Sequence, residues 1–176
     1  GLTVTNCTIN GLKQTKGSYG IHCAVSSTIT GNNIYGWENG MMTASKSVIK
    51  GNFIHDLAVN GADPHYDGIA SHGGQNDVLI EGNTIITWDT SGVFIKADFG
   101  NINNIRVINN LIKCQPGKKY AASVYVYGQP NGYARNCQIK GNRCERGAFN
   151  YDFSIAGDTQ GLVISGNTDL NGKPIS

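Results

Sequence analysis

The chain has 176 residues, a formal net charge of +2 and only 15% charged residues, a length that suits one domain with a real core. Its longest basic tract is Lys118-Lys119, which argues against nucleic acid as a main partner, and no apolar run approaches the roughly 20 residues of a membrane span. Glycine is frequent, with 24 residues, and proline is rare, with 4, a composition that predicts short strands joined by tight turns.

A six-residue repeat recurs along the whole chain. From the N-terminus it reads VTNCTI, ITGNNI, IKGNFI, IEGNTI, VINNLI, IKGNRC and ISGNTD. The fourth position is occupied in turn by Cys7, Asn32, Asn52, Asn83, Asn110, Asn142 and Asn167. The spacing between these positions varies from 20 to 32 residues, so loops of different length are inserted into a constant unit.

A second motif precedes most copies of the repeat and reads YGIHCA, NGMMTA, DGIASH, SGVFIK, SVYVYG and FSIAGD. Each unit therefore contains at least two short strands, and no segment has a sustained helical period. Such strands bury a face only if successive units stack as coils about 4.8 Å apart, so that equivalent residues form columns. We expect aliphatic core columns and a buried ladder of Asn side chains, entered through a turn at which Gly or Asn tolerates a positive φ.

The I-x-G-N-x-I repeat resembles that of the right-handed parallel β-helix, the pectin-lyase-like superfamily, over essentially the whole chain. The resemblance implies an all-β, right-handed parallel β-helix (a solenoid) of about seven coils, with residues 1–176 as a single domain. The chain starts and ends within the repeat pattern, as a fragment of a longer chain would. The superfamily includes pectate and alginate lyases, polygalacturonases, mannuronan C5-epimerases and phage tailspikes, which implies an acidic polysaccharide as partner.

The second motif also predicts which side chains face solvent, because alternate residues of a strand point to opposite sides. Two outward columns are expected: Ala24, Ala44, His72, Lys96, Tyr127 and Asp158 form one, and His22, Met42, Ala70, Phe94, Tyr125 and Ala156 form the other. The loop before Gly68 enters the same sheet with further ionisable side chains. Aromatic rings and ionisable groups on one face are typical of a saccharide-binding groove.

We therefore predict one site on this sheet. The candidate catalytic residues are Asp63, His65, Asp67, His72, Lys96 and Tyr127, and the candidate substrate-binding residues are Trp88, Asp89, Phe94, Tyr120 and Tyr125. Nine of these residues also have a plain structural interpretation. Asp67-Gly68 would be a turn and Asp63-Pro64 a bend; His65, His72, Lys96 and Tyr127 would be ordinary exposed residues; and a neighbouring subunit would cover Trp88, Phe94 and Tyr125.

Two short motifs add family resemblances. Asp63-Pro64-His65 is similar to the Asp-Pro-His element of mannuronan C5-epimerases, which implies an active-site role for Asp63 and His65 with a Lys and a Tyr nearby. Asp67-Gly68-Ile69, followed by VFIK, is similar to polygalacturonases. That family has paired aspartates before VFIK, and this chain has Thr90 and Ser91 at those positions.

Three functions remain open at this stage. The first is a lyase or epimerase on an acidic glycan, with Lys96 or His65 neutralising the uronate and His72 or Tyr127 as base or acid. The second is a glycoside hydrolase that uses the aspartates. The third is a non-catalytic glycan-binding or structural β-helix of a tailspike or adhesin, a homotrimer in the tailspike case.

An enzyme is favoured over a binding module, and an extracellular or virion-associated location follows from the superfamily. No cofactor and no metal site is predicted; a Ca2+ ion is possible but not indicated by the sequence. The five cysteines are an odd number without a C-x-x-C pair, so we expect free thiols.

Overall fold

Short strands make up the regular structure of the residues that the computed structural model describes, 1–13, 17–61, 64–147 and 151–176. In chain order the strands are β1 (Thr3–Thr5), β2 (Thr8–Asn10), β3 (Tyr19–His22), β4 (Thr28–Thr30), β5 (Asn33–Tyr35), β6 (Asn39–Met42), β7 (Val48–Lys50), β8 (Phe53–Ile54), β9 (Ile69–Ser71), β10 (Gln75–Glu81), β11 (Thr84–Thr87), β12 (Asp89–Ala97), β13 (Ile102–Ile108), β14 (Leu111–Cys114), β15 (Tyr120–Pro130), β16 (Ala134–Arg135), β17 (Gln138–Lys140), β18 (Arg143–Cys144), β19 (Phe153–Gly157), β20 (Thr159–Gln160), β21 (Val163–Ser165), β22 (Asn167–Asp169) and β23 (Pro174–Ile175). Within those ranges, no helix is long and apolar enough to cross a membrane.

The strands stack into three sheets that wind as a solenoid. The first sheet runs β1-β4-β7-β10-β13-β16-β20, with β17 and β21 completing its last rungs. The second sheet runs β2-β5-β8-β11-β14-β18-β22-β23, and the third sheet runs β3-β6-β9-β12-β15-β19. The pairing is parallel except between β22 and β23. The third sheet has six rungs, the first has seven, and the second has seven parallel strands followed by the antiparallel β23, so the expected solenoid of about seven coils is confirmed.

Aliphatic columns fill the interior, as the repeat predicts. Ile49 lies opposite Ile29 and Ile80 in the first sheet, and all three are fully buried. The second sheet has an equivalent column, in which Ile54 lies opposite its neighbours in the coils on either side. Burying each such side chain contributes about 1.5–3 kcal/mol before chain entropy is counted.

The predicted Asn ladder is present and runs from Asn32 to Asn167. Between Asn52 and Asn83, the main-chain N–H and the side-chain Nδ2 of Asn52 both donate to Oδ1 of Asn83, each at 2.9 Å. The same pair of bonds recurs from Asn83 to Asn110 and onward along the column. Cys7 takes the first position, where its N–H donates to Oδ1 of Asn32 at 3.0 Å.

The residue before each ladder position explains the Gly-Asn pair. Gly82 has a φ of 62°, and the equivalent residue of the VINNLI copy, Asn109, has a φ of 55°. This left-handed conformation strains most side chains, whereas Gly and Asn adopt it readily. The motif therefore combines a turn residue with a buried amide.

The thiols lie where the repeat places them. Cys23, Cys114, Cys137 and Cys144 are buried, Cys7 is exposed, and all five are free. Burial raises the pKa of each buried thiol, to about 12 at Cys144, so these side chains behave as small apolar groups.

The third sheet confirms the two outward columns except in the last coil. Phe94 pairs with Tyr125, and Lys96 pairs with Tyr127. The sequence prediction placed Ala156 beside Tyr125 and Asp158 beside Tyr127, and this was wrong by two residues: the structure pairs Tyr125 with Ser154 and Tyr127 with Ala156. A period-two pattern fits two registers that differ by two residues, and Phe153 selects the observed register by packing inward opposite Val124.

Candidate functional site

An open groove of about 430 Å³ lies over the outer face of the third sheet. Residues of β3, β6 and β12 line it, together with residues of the turns before β3, β6 and β9 and with the residues that directly follow β9 and β12. The lining residues are Gly17, Tyr19, Glu38, Asn39, His65, Asp67, His72, Thr90, Phe94, Lys96 and Asp98. Five of the residues predicted for the site are among them: His65, Asp67, His72, Phe94 and Lys96.

Asp67 is the buried acid of the groove, with 6% of its surface exposed. The hydroxyl of Thr90 donates to its Oδ1 at 2.6 Å, and its main-chain N–H donates to Oδ1 of Asn39 at 2.9 Å. Burial raises the pKa of Asp67 to about 6, although the Thr90 bond and the nearby His72 oppose that rise. The carboxyl group can therefore be protonated close to neutral pH.

A chain of polar contacts crosses the floor of the groove. Tyr19 Oη lies 3.3 Å from His72 Nε2, and His72 Nδ1 lies 3.2 Å from Asp98 Oδ2. Lys96 Nζ lies 2.8 Å from the other oxygen of Asp98. Since His72 and Lys96 contact the same carboxylate, they lie on one face of the solenoid, as the shared column predicts.

The hydrogen-bond partners determine the tautomer of His72. An ionised carboxylate only accepts, so Nδ1 carries the proton that it donates to Asp98. In the neutral ring Nε2 then accepts a hydrogen bond from the hydroxyl of Tyr19. Burial tends to raise the pKa of Asp98, but the bonds and charges of Lys96 and His72 outweigh it and hold that pKa below its ordinary value.

Tyr19 stays protonated in this setting. Burial, followed by the charges of Asp67 and Glu38, raises the pKa of its hydroxyl. The groove thus holds a proton donor, Tyr19, in contact with a proton acceptor, His72, and both are within one hydrogen-bonded chain.

The predicted aromatic residues divide into two groups. Phe94 lines the groove, and Tyr125 stacks on it in the next coil with ring centroids 5.1 Å apart and an angle of 5°. Tyr127 lies 6.0 Å from Tyr125 and donates to Gln129 Oε1 at 3.3 Å. Tyr125 and Tyr127 therefore continue the outer face beyond the groove and do not line it.

Trp88 and Tyr120 lie elsewhere. The Trp88 ring stacks on Tyr66 at 4.2 Å, and its Nε1 donates to the carbonyl of Leu57 at 2.9 Å, so it anchors the long loop to the core. Tyr120 is only 1% exposed and its hydroxyl bonds to Ser123 Oγ, which places it inside the core rather than on the groove.

Asp89 lies at the rim of the groove, next to His65. Asp89 Oδ2 lies 3.4 Å from His65 Nδ1, and the side chain of His65 is 64% exposed. Asp63 lies outside the described residues. Among the residues that are described, no cluster of three or more His, Cys, Asp or Glu side chains is arranged to hold a metal ion.

The sequence interpretation missed six lining residues: Gly17, Tyr19, Glu38, Asn39, Thr90 and Asp98. Asp98 could have been found, because it follows Lys96 by two residues and strand alternation puts both on one face. Tyr19 and Glu38 come from coils in which the column of His72 and Lys96 holds only Ala24 and Ala44, and nothing in their local sequence connects them to His72.

Comparisons with known proteins agree with this architecture. The family described as "Right handed beta helix region" matches residues 1–170. A double mutant of the periplasmic alginate epimerase AlgG has a similar structure, with a TM-score of 0.52 and 12% sequence identity, over 94% of this chain and 46% of that one. This chain thus spans less than half of that protein, and the likeness concerns the fold. No curated protein matches the sequence.

With nearly its full length matched and three parallel sheets wound as a solenoid, the chain belongs to the right-handed β-helix family.

Proposed function

We propose that the groove modifies a uronate-containing polysaccharide by removing the proton on the carbon next to the sugar carboxylate, which leads to elimination or epimerisation. The observation that carries this proposal is the contact between Tyr19 and His72 beside Lys96 and Asp67 in one open groove. This chemistry needs a base, an acid and groups that neutralise the uronate carboxylate. The structural neighbour is an alginate epimerase, so the fold is compatible with uronate substrates.

His72 is the base in this proposal. Its Nε2 accepts the proton as the carbon–hydrogen bond breaks, and Asp98, bonded to Nδ1, stabilises the imidazolium that forms. Tyr19 is the acid. In an elimination its hydroxyl proton goes to the leaving glycosidic oxygen. An epimerisation requires the sugar carbon to enter between Tyr19 and His72, which lie 3.3 Å apart without substrate, so that the proton reaches the opposite face of the carbon. The proton on His72 then returns to the Tyr19 oxygen through the contact between them, which restores both groups.

Lys96 and protonated Asp67 face the uronate carboxylate. Because Lys96 is also paired with Asp98, its charge is only partly available to the uronate carboxylate. Neutral Asp67 supplies a second hydrogen-bond donor to that carboxylate. Ionised Asp67 would instead repel the substrate. Because the pKa of Asp67 is raised to about 6, acidic substrate should bind best below that pH.

A second candidate is hydrolysis. The environments of Asp67 and Asp98 move their pKa values in opposite directions within one groove, which is the arrangement that separates a general acid from a general base or nucleophile. Asp67 would protonate the glycosidic oxygen, and Asp98 would act on the other side of the sugar ring.

The test is to incubate the protein with alginate and with polygalacturonate in deuterated water. Epimerisation puts deuterium on the carbon next to the carboxylate, elimination gives the ultraviolet absorbance of an unsaturated uronate, and hydrolysis gives reducing ends with neither. His72→Gln and Tyr19→Phe should each lower the rate about a hundredfold or more, and His22→Gln should not. Binding without any of these products would make the groove a binding site only and refute the catalytic proposal.

A further inference from the structure

Glu38 occupies an unusual position for a carboxylate. It lies in the turn before β6, in the second coil, and is only 3% exposed. One carboxylate oxygen accepts the main-chain N–H of His65 at 2.9 Å, and the other accepts the main-chain N–H of Gly17. Those amides belong to the turns before β9 and β3, so one side chain connects the coils on both sides of its own.

We propose that Glu38 is a positioning residue for the groove, whose carboxylate fixes the segment that carries Tyr19 against the segment that carries His65. The catalytic meaning of this inference rests on the proposed function. The adjacent Asn39 extends the arrangement, because its Oδ1 accepts the main-chain N–H of Asp67 at 2.9 Å. Two consecutive side chains thus bond to the main chain of the segment from His65 to Asp67, and Glu38 also bonds to that of Gly17.

The contacts explain why an acid is tolerated at this depth. A buried carboxylate is costly unless donors satisfy both oxygens, and the two amides do so. The same oxygens need two donors from two different coils, so the bonds form only when the turns are in register.

The charge of Glu38 has a second consequence. Together with burial and Asp67, it raises the pKa of Tyr19 and so keeps that hydroxyl protonated. The other titratable rings near Tyr19 are His72, which contacts its hydroxyl, and His22, with ring centroids 6.1 Å apart.

Two substitutions of Glu38 separate the effect of its side-chain length from the effect of its charge. Glu38→Gln keeps the length but removes the charge and offers one acceptor oxygen for two amides. Glu38→Asp keeps the charge but shortens the side chain. Glu81→Gln is the matched control, because Glu81 lies on the first sheet, far from the groove, in an ion pair with Lys50. The first readout is amide hydrogen exchange at Gly17 and His65. The second is the pKa of Tyr19, measured as the part of the tyrosinate absorbance in a pH titration that disappears when Tyr19 is replaced by Phe.

Glu38→Gln should speed exchange at Gly17 or His65 about tenfold or more and lower the pKa of Tyr19. Glu38→Asp should speed exchange at one of these amides and leave the pKa of Tyr19 raised, and this variant decides the matter if Glu38→Gln does not fold. Glu81→Gln should change neither. Wild-type exchange at both amides in the Glu38 variants would overturn the proposal, and so would faster exchange across the whole chain in both.

Neither readout needs a substrate. A protein that is inactive on polyuronates but shows these changes would refute the proposed function and leave the positioning role intact. An active protein without them would refute the positioning role alone.

Discussion

Replacing Asn83 by Leu tests the ladder at its centre. Oδ1 of Asn83 accepts two hydrogen bonds from Asn52, and its Nδ2 donates at 3.0 Å to the carbonyl of Ile49 and to Oδ1 of Asn110. Leucine has a similar shape and makes none of these bonds. Nδ2 of Asn52 keeps its bond to the carbonyl of Ile29, and Oδ1 of Asn110 keeps the main-chain N–H of residue 83.

The cost of the substitution therefore falls on two groups. The buried N–H of Asn52 loses its acceptor and the carbonyl of Ile49 loses a donor, at about 1–3 kcal/mol for a group left unsatisfied. We expect the free energy of unfolding in urea to fall by about 2–4 kcal/mol, with glycan binding retained. The control is Asn76→Leu in the exposed part of β10, which should change stability by less than about 0.5 kcal/mol. Loss of binding at unchanged stability would show that the column is functional and that the structural reasoning is wrong.

Three further predictions follow from the groove and the core. Folding raises the pKa of Asp67 to about 6, so the folded state favours the protonated carboxyl group. Relative to Asp67→Asn, the free energy of unfolding of the wild type in urea should therefore fall by up to about 3 kcal/mol as pH rises from about 4 to about 6. A difference that does not depend on pH would contradict the burial of this acid. Lys96→Ala should lower uronate conversion about a hundredfold or more relative to His22→Ala, and equal rates would remove Lys96 from the site. Alkylation with mass spectrometry should label Cys7 first in the folded chain and all five thiols after denaturation, and a disulfide-linked peptide would overturn the core register.

The fold could be predicted because every coil repeats the same physical requirements. In five of the seven copies a Gly-Asn pair supplies both a left-handed turn and a buried amide. Asn109-Asn110 does the same, Asn6-Cys7 keeps the turn, and aliphatic residues flank most copies at fixed distances. Seven copies of that pattern leave little choice of architecture, even though the loops vary. The register failed only at β19, where alternation alone cannot distinguish shifts of two residues.

The lining of the candidate groove could be predicted only in part, for a different reason. Residues on the floor of the groove, such as His72 and Lys96, belong to strand columns and follow from alternation. Residues that come from turns, such as Tyr19 and Glu38, depend on loop geometry between coils, which the repeat does not encode. Trp88 is the opposite case. Its sequence position suggested a ligand-binding ring, but an aromatic residue in a loop can equally pack against the core, as Trp88 does.

The most direct test of the central claim is to locate a bound uronate on the protein. A short oligouronate would be titrated into the isotope-labelled chain below pH 6, where Asp67 is protonated, and the amide signals followed by NMR. If the groove over the third sheet is the site, the shifts should concentrate at residues 65–72 and 94–98. Shifts confined to the first or second sheet, or no shifts at saturating sugar, would contradict the claim.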